Sequence, residues 1–172
     1  VSAKSAEYLK KHGKVEAIVV VVDIAATGDS LSENMQKFIS ENQEPLALLN
    51  CEIVVVALVA TRSAVSKIEK NLSQLGELNV QLRVGEILGT DAFAFHPENS
   101  LWKDQDERER AQALCQDLGV KVNRKSPLGY GNQGLLVVFP NTTPNNSLPI
   151  LHSYARVAGG ERWNPLFPRI VN

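Results

Sequence analysis

Apolar residues along the first half of the chain alternate between unbroken runs and runs broken at helical spacing. Residues 15–23 form a nearly continuous β-branched stretch around Val19-Val20-Val21-Val22, and residues 51–60 (Cys-Glu-Ile-Val-Val-Val-Ala-Leu-Val-Ala) repeat its texture. Such runs read as strands buried on both faces of a parallel sheet. After the first, Leu31, Met35 and Phe38 predict a helix over 31–41, with Ser30 as its cap and Glu33 completing a capping box. After the second, Val65, Ile68 and Leu72 predict a helix over 62–75, capped by Thr61 and closed by Gly76. Residues 43–50, with Pro45, read as a connector, and 80–84 as a third strand, followed by Gly85-Glu86-Ile87-Leu88. A short helix over 3–12 stops at Gly13. The order β-α-β-α-β predicts parallel strands joined by right-handed crossovers. The expected class is α/β, a parallel sheet with helices on both faces.

The second half has a different texture. Asp91-Ala92-Phe93-Ala94-Phe95-His96 and Leu101-Trp102 put large rings into a loop-like segment, either tucked onto the core or serving as a lid or partner contact. Residues 104–118 predict a helix with Ala111, Leu114, Cys115 and Leu118 on its buried side, ended by Gly119. Its Asp106-Glu107-Arg108-Glu109-Arg110 start reads as a solvated face with i,i+4 pairing. A Gly-rich loop (Ser126-Pro127-Leu128-Gly129-Tyr130-Gly131-Asn132-Gln133-Gly134) then feeds a strand over 135–139. In the tail, Trp163 and Phe167 are expected to dock the terminus, and Arg162 and Arg169 are within the set that would suit a phosphate.

Candidate chemistry gathers where the first strand ends, at Asp23-Ile24-Ala25-Ala26-Thr27-Gly28-Asp29-Ser30-Leu31. A strand, a tight loop and a helix N-terminus make a natural anion site, because loop amides and the positive end of the helix dipole point at one spot. Thr27 and Ser30 add hydroxyls, and Gly28 allows close backbone approach. Asp23 can accept hydrogen bonds from a diol or hold a hydrated cation. The competing reading is a plain structural turn. No Gly-x-x-x-x-Gly-Lys and no Gly-x-Gly-x-x-Gly is present.

A second polar loop, Pro140-Asn141-Thr142-Thr143-Pro144-Asn145-Asn146-Ser147, leads to a helix starting at Leu148 or Pro149. If residues 135–139 are a strand of the same sheet, this loop shares a rim with the first. Asn141, Asn145 and Asn146 are then candidate contacts to a base edge or sugar. The alternative is an Asx turn and helix cap.

The bulk properties narrow the classes. The 172 residues suffice for one sizeable core, and 44% hydrophobic with 22% charged residues is globular. A net charge of -1 argues against general nucleic-acid binding, and no apolar run reaches the roughly 20 residues of a membrane span. Cys51 and Cys115 read as small hydrophobes in a reducing cytoplasm, and His12, His96 and His152 have no metal-ligand spacing.

The loop at 23–30 resembles the phosphate-binding loop of type I phosphoribosyltransferases, in which apolar strand residues precede two acids, then Thr-Gly and a further Thr or Ser. The ordered series Pro127-Leu128-Gly129-Tyr130-Gly131-Asn132, Val138-Phe139, Thr143-Pro144-Asn145-Asn146-Ser147-Leu148-Pro149-Ile150-Leu151 and Trp163-Asn164-Pro165-Leu166-Phe167-Pro168-Arg169 extends the likeness over nearly the whole chain. It is similar to the phosphoribosyltransferase-like proteins of bacterial defence or conflict gene clusters. The resemblance implies one phosphoribosyltransferase-like (Rossmann-like) domain over residues 1–172. It implies that Ala26, Thr27, Gly28, Asp29 and Ser30 hold the 5-phosphate of phosphoribosyl pyrophosphate. Asp23 matches the second acidic position, which contacts the ribose hydroxyls and, through water, Mg²⁺. Val22 stands at the first, which removes one ribose or magnesium contact.

The hood, flexible loop and pyrophosphate loop that usually precede this motif have no counterpart in the roughly twenty residues before it. Either an N-terminal portion lies outside this chain or the domain never had one. Three functions stay open: phosphoribosyl transfer to an unidentified acceptor with Asp23 in the catalytic role, a sensor of sugar phosphate or nucleotide that signals to a protein partner, and a structural adaptor.

Overall fold

The computed structural model describes residue 11 and residues 15–49, 51–75, 78–140, 142–156 and 162–168. The helix expected over 3–12, with Gly13, Gly76, Asn141 and Arg169, lies outside the described residues, apart from Lys11. The chain divides into two compact units, Val1–Leu88 and Gly89–Asn172.

In the first unit, β1 (Ala17–Ala25), β2 (Glu52–Thr61) and β3 (Val80–Leu88) form a parallel sheet in the order β1-β2-β3. Val20 pairs with Val55 and Val55 with Leu82, so apolar rows run straight across the three strands. Helix α1 (Asp29–Glu41) follows β1, and α3 (Arg62–Leu72) follows β2. Leu31, Met35, Phe38 and Ile39 of α1 and Ala64, Ile68 and Leu72 of α3 meet Ile53, Val55 and Ala57 in one core. Ile18, Val20 and Val22 of β1 pack against it, half-buried. The α/β class and the parallel order are as the periodicity predicts.

Three expectations need correction. First, the strands are not buried on both faces: Val19 (59% exposed), Val21 (61%) and Leu58 (54%) form an open row. Side chains alternate across a strand, so the unbroken apolar run splits into a core-facing set and an open set. Cover on both faces therefore does not extend to that row. Second, residues 43–50 hold a helix, α2 (Gln43–Leu49), and Leu46 is fully buried. Pro45 is its third residue, where a missing N–H has no intrahelical partner to lose. Third, β3 continues through Gly85 to Leu88.

In the second unit, α4 (Gln105–Val122) starts at Asp104, whose carboxylate accepts from the Glu107 amide at 2.8 Å. Leu114 is 58% exposed, so it is not on the buried side as expected. Gly119 does not end the helix. It lies inside, pressed on the Pro127 carbonyl, where a Cβ would approach the oxygen to 2.1 Å. Residues 89–102 wrap around the buried Asn99, whose amide donates to the Asp91 and Phe93 carbonyls at 3.1 and 2.8 Å. The Trp102 indole donates to the Ala94 carbonyl and stacks on Phe95, while Leu101 stays exposed.

Residues 135–139 are not a strand of the parallel sheet. Leu135 and Phe139 make only isolated bridges, to Phe93, Ser147 and Thr142. Gly134 enters the segment at φ +54, a left-handed kink that an extended strand would not tolerate. The unit closes with α5 (Pro149–His152) and an antiparallel pair, β4 (Ala155–Arg156) with β5 (Arg162–Trp163). The Trp163 indole donates to the Ile150 carbonyl at 3.0 Å, and the Phe167 amide to that of Leu151 at 2.8 Å.

Candidate functional site

At the carboxyl end of β1 the chain makes the turn that the loop chemistry requires. Gly28 adopts φ +78, and α1 starts immediately, with the Ser32 amide donating to the Gly28 carbonyl at 3.0 Å. The cap is therefore Gly28, and Ser30 lies inside the first turn. That displaces the expected Ser30–Glu33 capping box, and it frees the exposed Ser30 hydroxyl from a capping role. Thr27 instead turns its hydroxyl toward the loop, accepting from the Asp29 amide at 3.4 Å. By helix geometry the amides of Ser30 and Leu31 have no acceptor within α1.

The whole loop is seated on α3. The Thr61 hydroxyl donates to the Ala26 carbonyl at 2.7 Å and accepts from the Ala64 amide at 3.1 Å, capping α3 while holding the loop's first residue. Ser63 adds a hydroxyl contact to Thr61 at 3.1 Å. Gly28 lies flat over the next turn: a Cβ there would meet the Ala64 carbonyl at 3.1 Å and Ile68 at 3.2 Å. One turn further, the Lys67 ammonium pairs with the Asp29 carboxylate. The hydrogen bond from Lys67 first, and then the Thr27 hydroxyl, hold the Asp29 carboxyl below the usual carboxylate range, against an opposing effect of desolvation. Anchoring the Ala26 carbonyl toward α3 turns the Thr27 N–H the opposite way across the planar trans peptide. The Ala26 carbonyl thus fixes the loop to α3 and leaves the Thr27 N–H on the other side of that peptide.

Asp23 stands on the open face of β1, exposed, with one carboxylate oxygen accepting from the Ile24 amide at 2.8 Å. Its second oxygen is the group that would meet a diol or a hydrated cation. Val22 points the other way, into the core cluster. A divalent cation bound through one or two carboxylates and completed by substrate oxygens fits a lone Asp23. Among the described residues no three acidic, His or Cys side chains gather to hold a metal by themselves.

The second polar loop is built otherwise. Asn145 is exposed, and its carbonyl accepts from the Tyr130 amide at 2.8 Å. Asn146 is buried: its side-chain amide donates to the Tyr130 carbonyl at 3.2 Å, and its own carbonyl accepts from Leu135 at 3.1 Å. Ser147, fully buried, donates to Val137 at 2.7 Å. Asn145 and Asn146 are brought together against the Gly-rich loop, with Gly129 packed on the Asn146 carbonyl. The shared-rim expectation rested on 135–139 being a strand of the parallel sheet, and that basis is gone.

Cys51 and Cys115 are free thiols, Cys51 buried and Cys115 half-buried, and burial pushes the Cys115 thiol up, away from nucleophilic use. Among the described residues no helix is long and apolar enough to cross a membrane. Sequence reasoning missed two residues of the site, Lys67 and the second role of Thr61. Their signal is positional: 61, 64, 67 and 68 share one face of α3.

No curated protein matches the chain significantly. The family model PRTase-CE matches residues 2–169, which include the loop on α3, Asp23 and the Asn145–Asn146 segment. The chain belongs to this phosphoribosyltransferase-like family.

Proposed function

We propose that the first unit binds the phosphorylated ribose of phosphoribosyl pyrophosphate or a related nucleotide. The observation that supports this best is the loop at 26–30, whose Ala26 carbonyl is tied back to Thr61 and which runs straight into α1, where the amides of Ser30 and Leu31 have no acceptor within the helix. The 5-phosphate would be held by the amides of residues 27–31 and the hydroxyls of Thr27 and Ser30. Asp23, one residue back along β1 from the Ile24 amide it engages, would take the ribose hydroxyls. Mg²⁺, where bound, would supply charge neutralisation to the pyrophosphate, and Asp23 would orient one of its waters.

Within this reading, phosphoribosyl transfer to an unidentified acceptor is the enzymatic form. Positioning and charge stabilisation of an oxocarbenium-like state would supply the catalysis. The second form, a sensor without turnover in a bacterial defence setting, is favoured by Val22. That residue packs on the core at the position where the resemblance has its first acid.

The test is calorimetric titration of the full chain with phosphoribosyl pyrophosphate, with and without Mg²⁺, on wild type, Asp23→Ala and Gly28→Ala. Binding that weakens with Asp23→Ala, depends on Mg²⁺ and disappears with Gly28→Ala is the expected result. Equal binding by Gly28→Ala would falsify the loop as the phosphate site.

A further inference from the structure

The Asp29–Lys67 pair presents a problem of charge that its geometry also answers. Asp29 is the first residue of α1 and belongs to the loop that is read as a phosphate cradle. A carboxylate there already sits at the positive end of the helix, and it opposes the approach of a phosphate dianion. Lys67 reaches it from α3, across thirty-eight positions of sequence, and neutralises it. The two side chains differ in accessibility: Lys67 keeps 48% of its surface exposed and Asp29 32%. An ammonium on a flexible four-carbon stem can exchange one oxygen partner for another without moving the backbone. A pair this exposed has little net strength, so a doubly charged competitor a few ångströms away is the better partner. The Thr61 hydroxyl holds a loop carbonyl, and Gly28 lies against the Ala64 carbonyl and the Ile68 side chain. Lys67 instead reaches the loop through a long, half-exposed side chain.

We propose that Lys67 is a ligand-contacting residue of the phosphate site, held by Asp29 in the empty loop and passed to the phosphate when it binds. This rests on the proposed sugar-phosphate reading and adds to it a cation drawn from the neighbouring α/β element. Asp29 serves as a latch that lowers affinity, and Lys67 as the charge that raises it.

The two partners of a merely structural ion pair fail in the same direction when either is removed. A latch fails in opposite directions. The experiment is titration of the full chain with ribose 5-phosphate for wild type, Lys67→Met, Lys67→Arg, Asp29→Asn and the Lys67→Met/Asp29→Asn double variant, with thermal melts as a check on folding. Lys67→Met is expected to weaken binding about tenfold, while Lys67→Arg retains most of it. Asp29→Asn is expected to tighten binding roughly threefold, and the double variant to lose that gain. If wild type binds and the two single variants weaken together, or neither changes, the latch is overturned and the phosphate reading stands. Failure of folded wild type to bind ribose 5-phosphate overturns both.

Discussion

Two polar loops of similar composition are put to opposite uses in this chain. Residues 26–30 and 140–147 both mix small, hydroxylated and amide or acidic side chains, and both precede a helix. In the first, the carbonyl of Ala26 is anchored to Thr61, a charged pair sits beside the loop, and the amides of Ser30 and Leu31 have no acceptor within α1. In the second, the Asn146 amide, the Ser147 hydroxyl and the carbonyls of Asn145 and Asn146 are all committed to the surrounding protein. Composition alone cannot separate a ligand cradle from a well-tied turn. The destination of each hydrogen-bonding group can.

The largest expected effect tests the tied turn. Gly129 holds φ +87 with the Asn146 carbonyl where a Cβ would come to 2.2 Å. Gly129→Ala should destabilise the second unit by about 3 kcal/mol or more, read as loss of hydrogen-exchange protection across 126–148. If protection there is unchanged, the loop is looser than its hydrogen bonds imply.

Thr61→Val comes next, removing both the α3 cap and the tie to Ala26. A loss of about 1–2 kcal/mol in denaturant unfolding is expected, together with weaker ribose 5-phosphate binding. A stability loss with affinity intact would mean that the cradle does not depend on its seat.

Asn146→Ala sharpens the contrast. It should cost about 1 kcal/mol and leave phosphate affinity unaltered, whereas Asn145→Ala should leave stability unaltered. A drop in nucleotide affinity for Asn146→Ala at unchanged stability would move the second loop into the ligand-binding class.

The smallest effect is in pH. Asp29 has a folded pKa below its ordinary value, so it binds a proton less readily folded than unfolded. Its contribution is fully present above the ordinary carboxylate range and is lost as pH falls through the lowered folded value. Acid titration of stability should show this slight loss in wild type and not in Asp29→Asn.

Much of the first unit was readable because its elements are local. β1, β2, α1 and α3 each declare themselves within about ten consecutive residues, and Thr61 caps α3 as its position before Arg62 predicts. The errors have physical causes. Residues 43–50 read as a connector because they carry Pro45, yet the first turn of a helix tolerates proline. Leu135-Leu136-Val137-Val138-Phe139 has the composition of a buried strand but follows a left-handed glycine and finds no long neighbour to pair with. The span of α1 was legible, its cap was not, since Ser30 has the better cap chemistry and Gly28 the required left-handed backbone. Lys67 was invisible as a site residue because nothing local marks it. Only the crossover from β2 into α3 brings it to Asp29.

The seating of the loop on positions 61, 64 and 68 has a mechanical meaning. Contacts stacked along one side of a helix behave like teeth on a rack: turning or sliding α3 disengages all of them at once, and none can slip alone. Whatever stiffens the loop from outside must then be felt along the length of α3 as slower opening of its amides. The helix becomes a reporter for an event that occurs on the far side of the turn.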